Sequence, residues 1–144
     1  MDTMKDMELL QYVHETAEMG IIGLEDVAGQ IRDGGMRASV RSQIGEYRDI
    51  SRQSADLLRA KGRDPKEPGL MARISSNAMS VMKTLADPSD SKIAEMVIQG
   101  NTMGITKGLK HLHDYGGGDR QVRALAEKLV ATEQANVEQM KGFL

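Results

Sequence analysis

Apolar residues recur at every third or fourth position along most of this chain, which is the period of an amphipathic α-helix. No segment alternates apolar and polar residues as a half-buried strand does. The pattern therefore predicts an all-α protein, in which Asp119 is the N-cap of the last helix. Four long helices and one shorter helix are predicted, at about residues 5–32, 36–61, 69–86 (the shorter one), 90–114 and 119–142.

Glycine and proline mark the predicted connections between these helices. The stretches "RDGGM" (32–36) and "YGGGD" (115–119) are typical of helix ends and tight turns. Pro65 and Pro68 interrupt the chain between them, because proline lacks the amide donor that a helix needs. Two tight turns predict two antiparallel hairpins, and a long crossover at about 62–89 with the short helix joins them. This is the ferritin-like arrangement of a four-helix bundle.

Composition agrees with one helical domain. The chain has 144 residues, which suit a single domain over residues 1–144, and its 11 methionines and 3% aromatics suit packed helices. A net charge of −2 argues against binding to nucleic acid or to an anionic membrane. The chain has no cysteine, no apolar run of roughly 20 residues and no signal peptide at its N-terminus. We therefore expect a cytoplasmic protein.

Polar residues interrupt the apolar stripe of the last helix. In "ATEQANVEQM" (131–140), helical spacing carries Glu133 and Asn136 inward, one turn apart. A buried carboxyl group is costly unless it is hydrogen-bonded or protonated, so we expect a buried polar network around it. The same geometry gives the inward mid-helix positions of the whole bundle, which are Ala17, Tyr47, Ile50, Asn101, Glu133 and Asn136.

Bundles of this kind can build a two-metal centre from inward Glu residues and Glu-x-x-His pairs. The sequence "EQAN" has the form of such a pair, with Asn136 in the place of the histidine. One carboxylate among six inward positions is too few to hold two cations, so no cofactor is expected. The alternative is a divergent site for iron or manganese that uses Glu133 with His14 or Glu46.

The stretch "QGNTMGITKGL" resembles small, poorly characterised bacterial ferritin-like proteins, in which "GE" heads a similar segment. Gly100 and Asn101 correspond to that Gly and Glu. The resemblance implies a ferritin-like bundle, and such relatives often bind two irons or manganese and handle oxygen, peroxide or stored iron. This chain departs from the pattern at most ligand positions. A weak internal repeat, "AEMGII" and "NTMGIT", aligns Gly20 with Gly104.

Three further groups of residues are candidates for surface or binding roles. His14, His111 and His113 are expected to be half-exposed, and His111 and His113, two residues apart, to point in different directions. Met96 and Met103 should face away from the core, which predicts a homodimer through this helix. The second helix carries an arginine ridge, for which Glu18 and Glu25 are candidate partners; the ridge consists of Arg37, Arg41, Arg48, Arg52 and Arg59.

Three functions therefore compete. The first is a structural or interaction module that has lost its metal centre and is not expected to be an enzyme. The second is a divergent metal-binding oxidoreductase or metal-handling protein. The third is a carrier of a small ligand, held in a cavity that small residues leave at the bundle centre; those residues are Ala17, Gly20, Gly104 and Gly108.

Overall fold

A computed structural model of the protein describes residues 4–66 and 89–144, and these residues form four helices without a β-strand. The predicted all-α class is confirmed. The predicted short helix at 69–86 lies outside the described residues. Within the described ranges, no helix combines the length and apolar character needed to cross a membrane. The helices are α1 (Asp6–Ala28), α2 (Gly34–Ala60), α3 (Asp90–Asp114) and α4 (Arg120–Lys141).

Contacts at the two ends of the bundle decide its topology. The Asp90 carboxylate, at the start of α3, accepts hydrogen bonds of 2.8 Å from the backbone N–H groups of Arg32 and Asp33. At the opposite end, Lys61 follows α2 and its ammonium lies 2.8 Å from the Asp119 carboxylate, which precedes α4. The starts of α2 and α3 therefore lie at the same end, and these helices run in the same direction. The chain must return along a bundle about 40 Å long between them, as the predicted crossover requires.

The two hairpins pack unequally against each other. Contact is most extensive within the hairpins, between α1 and α2 and between α3 and α4. Between hairpins, α4 contacts both α1 and α2, whereas α1 and α3 contact each other less. A continuous core of aliphatic and methionine side chains joins all four helices, and it includes Leu9, Val13, Met36, Ile93 and Leu129. The candidate functional site lies between α1 and α3, where contact between the helices is sparse.

The predicted helix bounds need two corrections at the first turn. Helix α1 ends at Ala28 rather than near residue 32, and Gly34 and Gly35 open α2 rather than form the turn. The reason is a cap, because the Asp33 carboxylate accepts a 2.8 Å hydrogen bond from the Met36 N–H and so starts α2 at residue 34. Periodicity alone does not reveal which residue makes this bond.

The predicted N-cap of the last helix is confirmed. The Asp119 carboxylate accepts hydrogen bonds from the N–H groups of Gln121 (2.9 Å) and Val122 (3.2 Å). Because it also pairs with Lys61, this one side chain caps α4 and ties it to the end of α2. The Lys61 ammonium holds the pKa of Asp119 below its usual range.

Tyr115 is the centre of the contacts at this end of the bundle. Its hydroxyl donates to the carboxylate of Asp6 in α1 and accepts a 3.2 Å hydrogen bond from the Asp119 N–H. Burial and the hydrogen bond to Asp6 raise the pKa of Tyr115 to about 12. The α3–α4 loop closes over this contact, since a Cβ atom on Gly117 would lie 2.6 Å from the Tyr115 ring and would also overlap the Asp6 carboxylate.

We predict that Gly117→Ala lowers the free energy of unfolding by about 1–3 kcal/mol, because the added methyl group overpacks the Asp6–Tyr115 contact. The matched control is Gly118→Ala, one residue along the same loop, where an added Cβ would meet nothing within 4 Å. Its effect should stay within about 0.5 kcal/mol. Urea denaturation of both variants measures the difference, and equal stabilities would contradict the proposed close packing.

Candidate functional site

All six predicted inward positions are buried in the bundle. Glu133 is 3% exposed and Asn101 is 8% exposed, and the remaining four are 2% exposed or less. Helical spacing therefore identified the inner face of each helix correctly. The structure also brings polar groups from three helices to the middle of the bundle; those groups belong to Tyr47 of α2, Asn101 of α3, and Glu133 and Asn136 of α4.

The predicted polar network forms only in part. The Tyr47 hydroxyl donates a 2.8 Å hydrogen bond to Asn101 Oδ1, which joins α2 to α3. Within the described residues, Glu133 Oε1, Asn101 Nδ2 and both polar atoms of the Asn136 amide have no hydrogen-bond partner. An unpaired buried polar group costs about 1–3 kcal/mol of stability. The middle of this bundle is therefore less stable than a fully paired or fully apolar one would be.

Two glycines make room for the inward polar side chains. A Cβ atom on Gly20 of α1 would lie 2.8–2.9 Å from the ring of Tyr47, and a Cβ atom on Gly104 of α3 would lie 2.9 Å from Glu133 Cδ. Only glycine permits contacts this close. These are the two residues that the internal repeat aligns. Each hairpin thus places a glycine of its first helix against a polar side chain of its second.

A cleft of about 640 Å³ lies between α1 and α3, and Gly20 and Gly104 are among the residues that line it. Tyr47, Asn101 and Glu133, which are buried, line its deep part, whereas the exposed Met103 and Lys107 line its mouth. Its walls consist mainly of glycine, methionine and aliphatic residues, among them Met19, Gly23, Leu24, Met96, Val97 and Gly100, and they also include Tyr12, Glu15, Thr16 and His111. The cleft therefore connects the surface to the unpaired carboxyl group of Glu133.

Burial controls the charge of the groups in this cleft. It raises the pKa of Glu133 from 4.5 to about 8, so the carboxyl group is mostly protonated at neutral pH. Burial also raises the pKa of Tyr47, and the Glu133 carboxyl group raises it further. Near the mouth, burial lowers the pKa of His111, whose ring packs against Tyr12 at 4.0 Å between centroids. The deep part of the cleft is consequently polar and close to neutral.

The inward residues do not fit a two-metal centre. Ala17 and Ile50 have no donor atom, the Tyr47 hydroxyl is bonded to Asn101, and Glu133 is the one carboxylate among the six positions. Among residues 4–66 and 89–144, no group of three His, Asp or Glu side chains lies close enough to hold a metal ion. We derive no metal chemistry from this donor set, because two cations require several carboxylates to neutralise them.

His14 and Glu46, the other proposed ligands, lie elsewhere. His14 is 6% exposed, so the expectation of a half-exposed ring was wrong. Its Nδ1 lies 3.2 Å from the Ser51 carbonyl oxygen and 3.1 Å from the Ser54 hydroxyl, which satisfy the ring from α2. Glu46 is exposed on α2. His14 therefore helps to hold the first hairpin together.

The structure also shows the exposure and the partners of the predicted surface residues. All five arginines of the ridge are exposed; Arg48 pairs with Glu25, as expected, whereas Glu18 accepts a 3.0 Å hydrogen bond from Ser51 instead. Met103 is 61% exposed, but Met96 is half-buried and packs against the core, which corrects its predicted outward position. The reason is that Met96 lines the α1–α3 cleft.

A known crystal structure has a fold similar to that of this chain. No protein-family model and no curated protein matches this chain. The crystal structure of a DUF305 fragment from Deinococcus radiodurans is similar to it, with a TM-score of 0.75 and 15% sequence identity. The match covers 95% of this chain and 93% of that chain. At this identity the likeness shows a shared helical fold, and function must be argued from the site.

We predict that Glu133→Gln removes a pH dependence of stability. Between pH 4.5 and about 8, the unfolded chain ionises Glu133 while the folded protein keeps its proton, so the free energy of unfolding falls as the pH rises and then levels off. Each pKa unit corresponds to about 1.4 kcal/mol, so this group accounts for a few kcal/mol over the window. Glutamine is neutral at every pH, so the Glu133→Gln variant should lack this part of the pH dependence of the free energy of unfolding.

Urea denaturation of both proteins at about pH 5 and about pH 9 provides the measurement. The stability of Glu133→Gln relative to the native protein should increase by a few kcal/mol between the two pH values, roughly as the pKa shift requires. Subtracting the native protein cancels every other titrating group. A difference that does not change with pH would show that Glu133 is ionised in the folded protein.

We also predict that Gly104→Ala destabilises the bundle by about 1–3 kcal/mol, because the methyl group would overlap the Glu133 carboxyl group. Gly100→Ala, one turn earlier on α3, is the control, since an added Cβ there would meet nothing within 4 Å. Alanine should stabilise the helix at this position by up to about 1 kcal/mol. If thermal denaturation shows the two variants to be equally stable, Glu133 does not lie against Gly104.

Proposed function

We propose that this protein binds a small, mostly apolar molecule in the cleft between α1 and α3. The observation that carries the proposal is Glu133, a residue that is 3% exposed and lines a cleft of about 640 Å³, and whose Oε1 has no hydrogen-bond partner among the described residues. This volume is within the range of small-ligand sites, which is roughly 300–1,000 Å³. Apolar walls around a few polar groups are also typical of such sites.

The third function inferred from the sequence, a small-ligand carrier, is therefore the one that the geometry supports best. A purely structural or interaction role gives no reason to keep three polar side chains with unpaired atoms in the core; these are Asn101, Glu133 and Asn136. A ligand could offer hydrogen bonds to the two that line the cleft. Binding would then recover part of the stability that the unpaired groups cost.

Our proposal for the origin of the site is a ferritin-like bundle that has lost its two-metal centre. The parallel directions of α2 and α3 and the six buried inward positions support this descent. Loss of the metal ligands would leave their space to a different ligand. A cytoplasmic location and a homodimer through α3 stay predictions, and the exposed Met103 and Leu109 support the second of them.

We expect binding to depend on the open space beside the glycines of the cleft. Gly23→Leu on α1 and Gly100→Leu on α3 place a large side chain where an added Cβ meets nothing, so they should fill the cleft without disturbing the fold. Both should weaken the binding of small apolar probes by roughly tenfold or more. NMR titration with a panel of such probes, beginning with cyclohexane derivatives, measures the effect.

Gly45→Leu is the matched control. Gly45 is an exposed glycine of α2 with nothing within 4 Å of its Cβ position, and it does not line the cleft. Like the other two variants it adds a leucine to a helix interior, where glycine is a poor residue. Its probe affinities should equal those of the native protein. Either of two results would overturn the proposed function. One is probe binding that persists in the cleft-filling variants, and the other is that no probe binds the native protein.

A further inference from the structure

We infer that the ligand of this cleft is neutral and presents an N–H donor next to a carbonyl acceptor, as a primary amide or a lactam does, with an apolar body between α1 and α3. This inference rests on the proposed function and gives it a ligand class. It comes from two residues that line the deep part of the cleft and that each have a buried polar atom without a hydrogen-bond partner among the described residues. These atoms are Glu133 Oε1 and Asn101 Nδ2.

The hydrogen bond from Tyr47 leaves one polar atom of Asn101 unpaired. Asn101 Oδ1 accepts a 2.8 Å hydrogen bond from the Tyr47 hydroxyl, whereas the Nδ2 donor of the same amide has no partner among the described residues. That donor calls for an acceptor on the ligand, such as a carbonyl oxygen. A ligand with donors only, such as an alkylammonium ion, would leave Nδ2 unpaired and would place its positive charge beside an N–H group.

Glu133 can both accept and donate. Burial raises the pKa of Glu133 to about 8, so at neutral pH the group is mainly a carboxylic acid, with one acceptor oxygen and one O–H donor. An amide pairs with a carboxylic acid through two parallel hydrogen bonds, since its N–H donates to one oxygen and its carbonyl accepts from the other. A carboxylate ligand has no donor for Oε1 and would bring a charge into a low-dielectric site.

The two groups are close enough to act on one ligand head. The Glu133 carboxyl group lies against Gly104, and Asn101 is three residues before Gly104 on the same face of α3. Residues at this spacing are neighbours on a helix surface, roughly 5–6 Å apart between Cβ positions. A single amide carbonyl can therefore accept from both groups, because a carbonyl oxygen has two lone pairs. The walls, with Met19 and Met96, enclose the apolar body.

The test is a series of probes with one apolar ring and four polar ends, titrated by NMR near pH 7. The probes are cyclohexanecarboxamide, N,N-dimethylcyclohexanecarboxamide, cyclohexanemethylammonium and cyclohexanecarboxylate. The primary amide should bind roughly tenfold tighter than each of the other three, because a site built to hydrogen-bond a group rejects analogues that lack it. Equal affinities, or a preference for the ammonium or carboxylate probe, would overturn the inference and leave the proposed function standing.

Variants at Glu133 show whether the preference comes from this side chain. Glu133→Gln keeps one donor and one acceptor and should keep the amide preference within about threefold. Glu133→Leu removes both and should bind the primary amide and its N,N-dimethyl analogue with similar affinity, whereas the charged probes stay weak because the cleft has a low dielectric. Denaturation checks that this variant is folded. A preference for the primary amide over the dimethylamide that persists in Glu133→Leu would overturn the inference. Failure of all four probes to bind the native protein would overturn the inference together with the function on which it rests.

Discussion

The structure depends on one close contact within each hairpin, in which a glycine of the first helix packs against a polar side chain of the second helix. In the first hairpin the Tyr47 ring lies against Gly20, and in the second the Glu133 carboxyl group lies against Gly104. With any larger residue at either glycine, the Tyr47 ring or the Glu133 carboxyl group would have to shift. The two contacts place polar groups at the same level of the bundle, where the Tyr47 hydroxyl meets Asn101. They also leave α1 and α3 with small residues on the sides that face each other.

The cleft follows from this arrangement. Because α1 and α3 carry glycines at the middle of the bundle, they do not fill the space between them. The ends of the bundle compensate for this loose centre. The Asp90 carboxylate joins α3 to the α1–α2 turn, and Tyr115 and Asp119 join α1, α2 and α4 at the opposite end. A bundle held at both ends can keep unpaired polar groups in its middle, and such local departures from good packing are typical of functional sites.

The charge state of Glu133 is a property of this centre. A carboxyl group that is 3% exposed keeps its proton at neutral pH, because burial penalises the charged form. Carboxylates that ligate metal ions are ionised by the cations they bind. A buried carboxyl group without such a cation has the opposite chemistry, since it becomes a neutral donor and acceptor.

The sequence determined which face of each helix is buried. Apolar spacing identified the six inward positions, the range of α3 and the N-cap Asp119, because helical period and cap chemistry are local properties of the chain. The long link between two tight turns was likewise enough to infer the crossover topology. All of these inferences use residues that are near one another in the sequence.

Only the tertiary structure decided which side chains meet. The burial of His14 depends on serines of α2, and the inward position of Met96 depends on the gap between α1 and α3. The missing partners of Glu133 and Asn136 are also invisible in the sequence. A helical period gives the direction of a side chain, but the distance between two helices, and hence each hydrogen bond and cavity between them, depends on every residue packed at their contact.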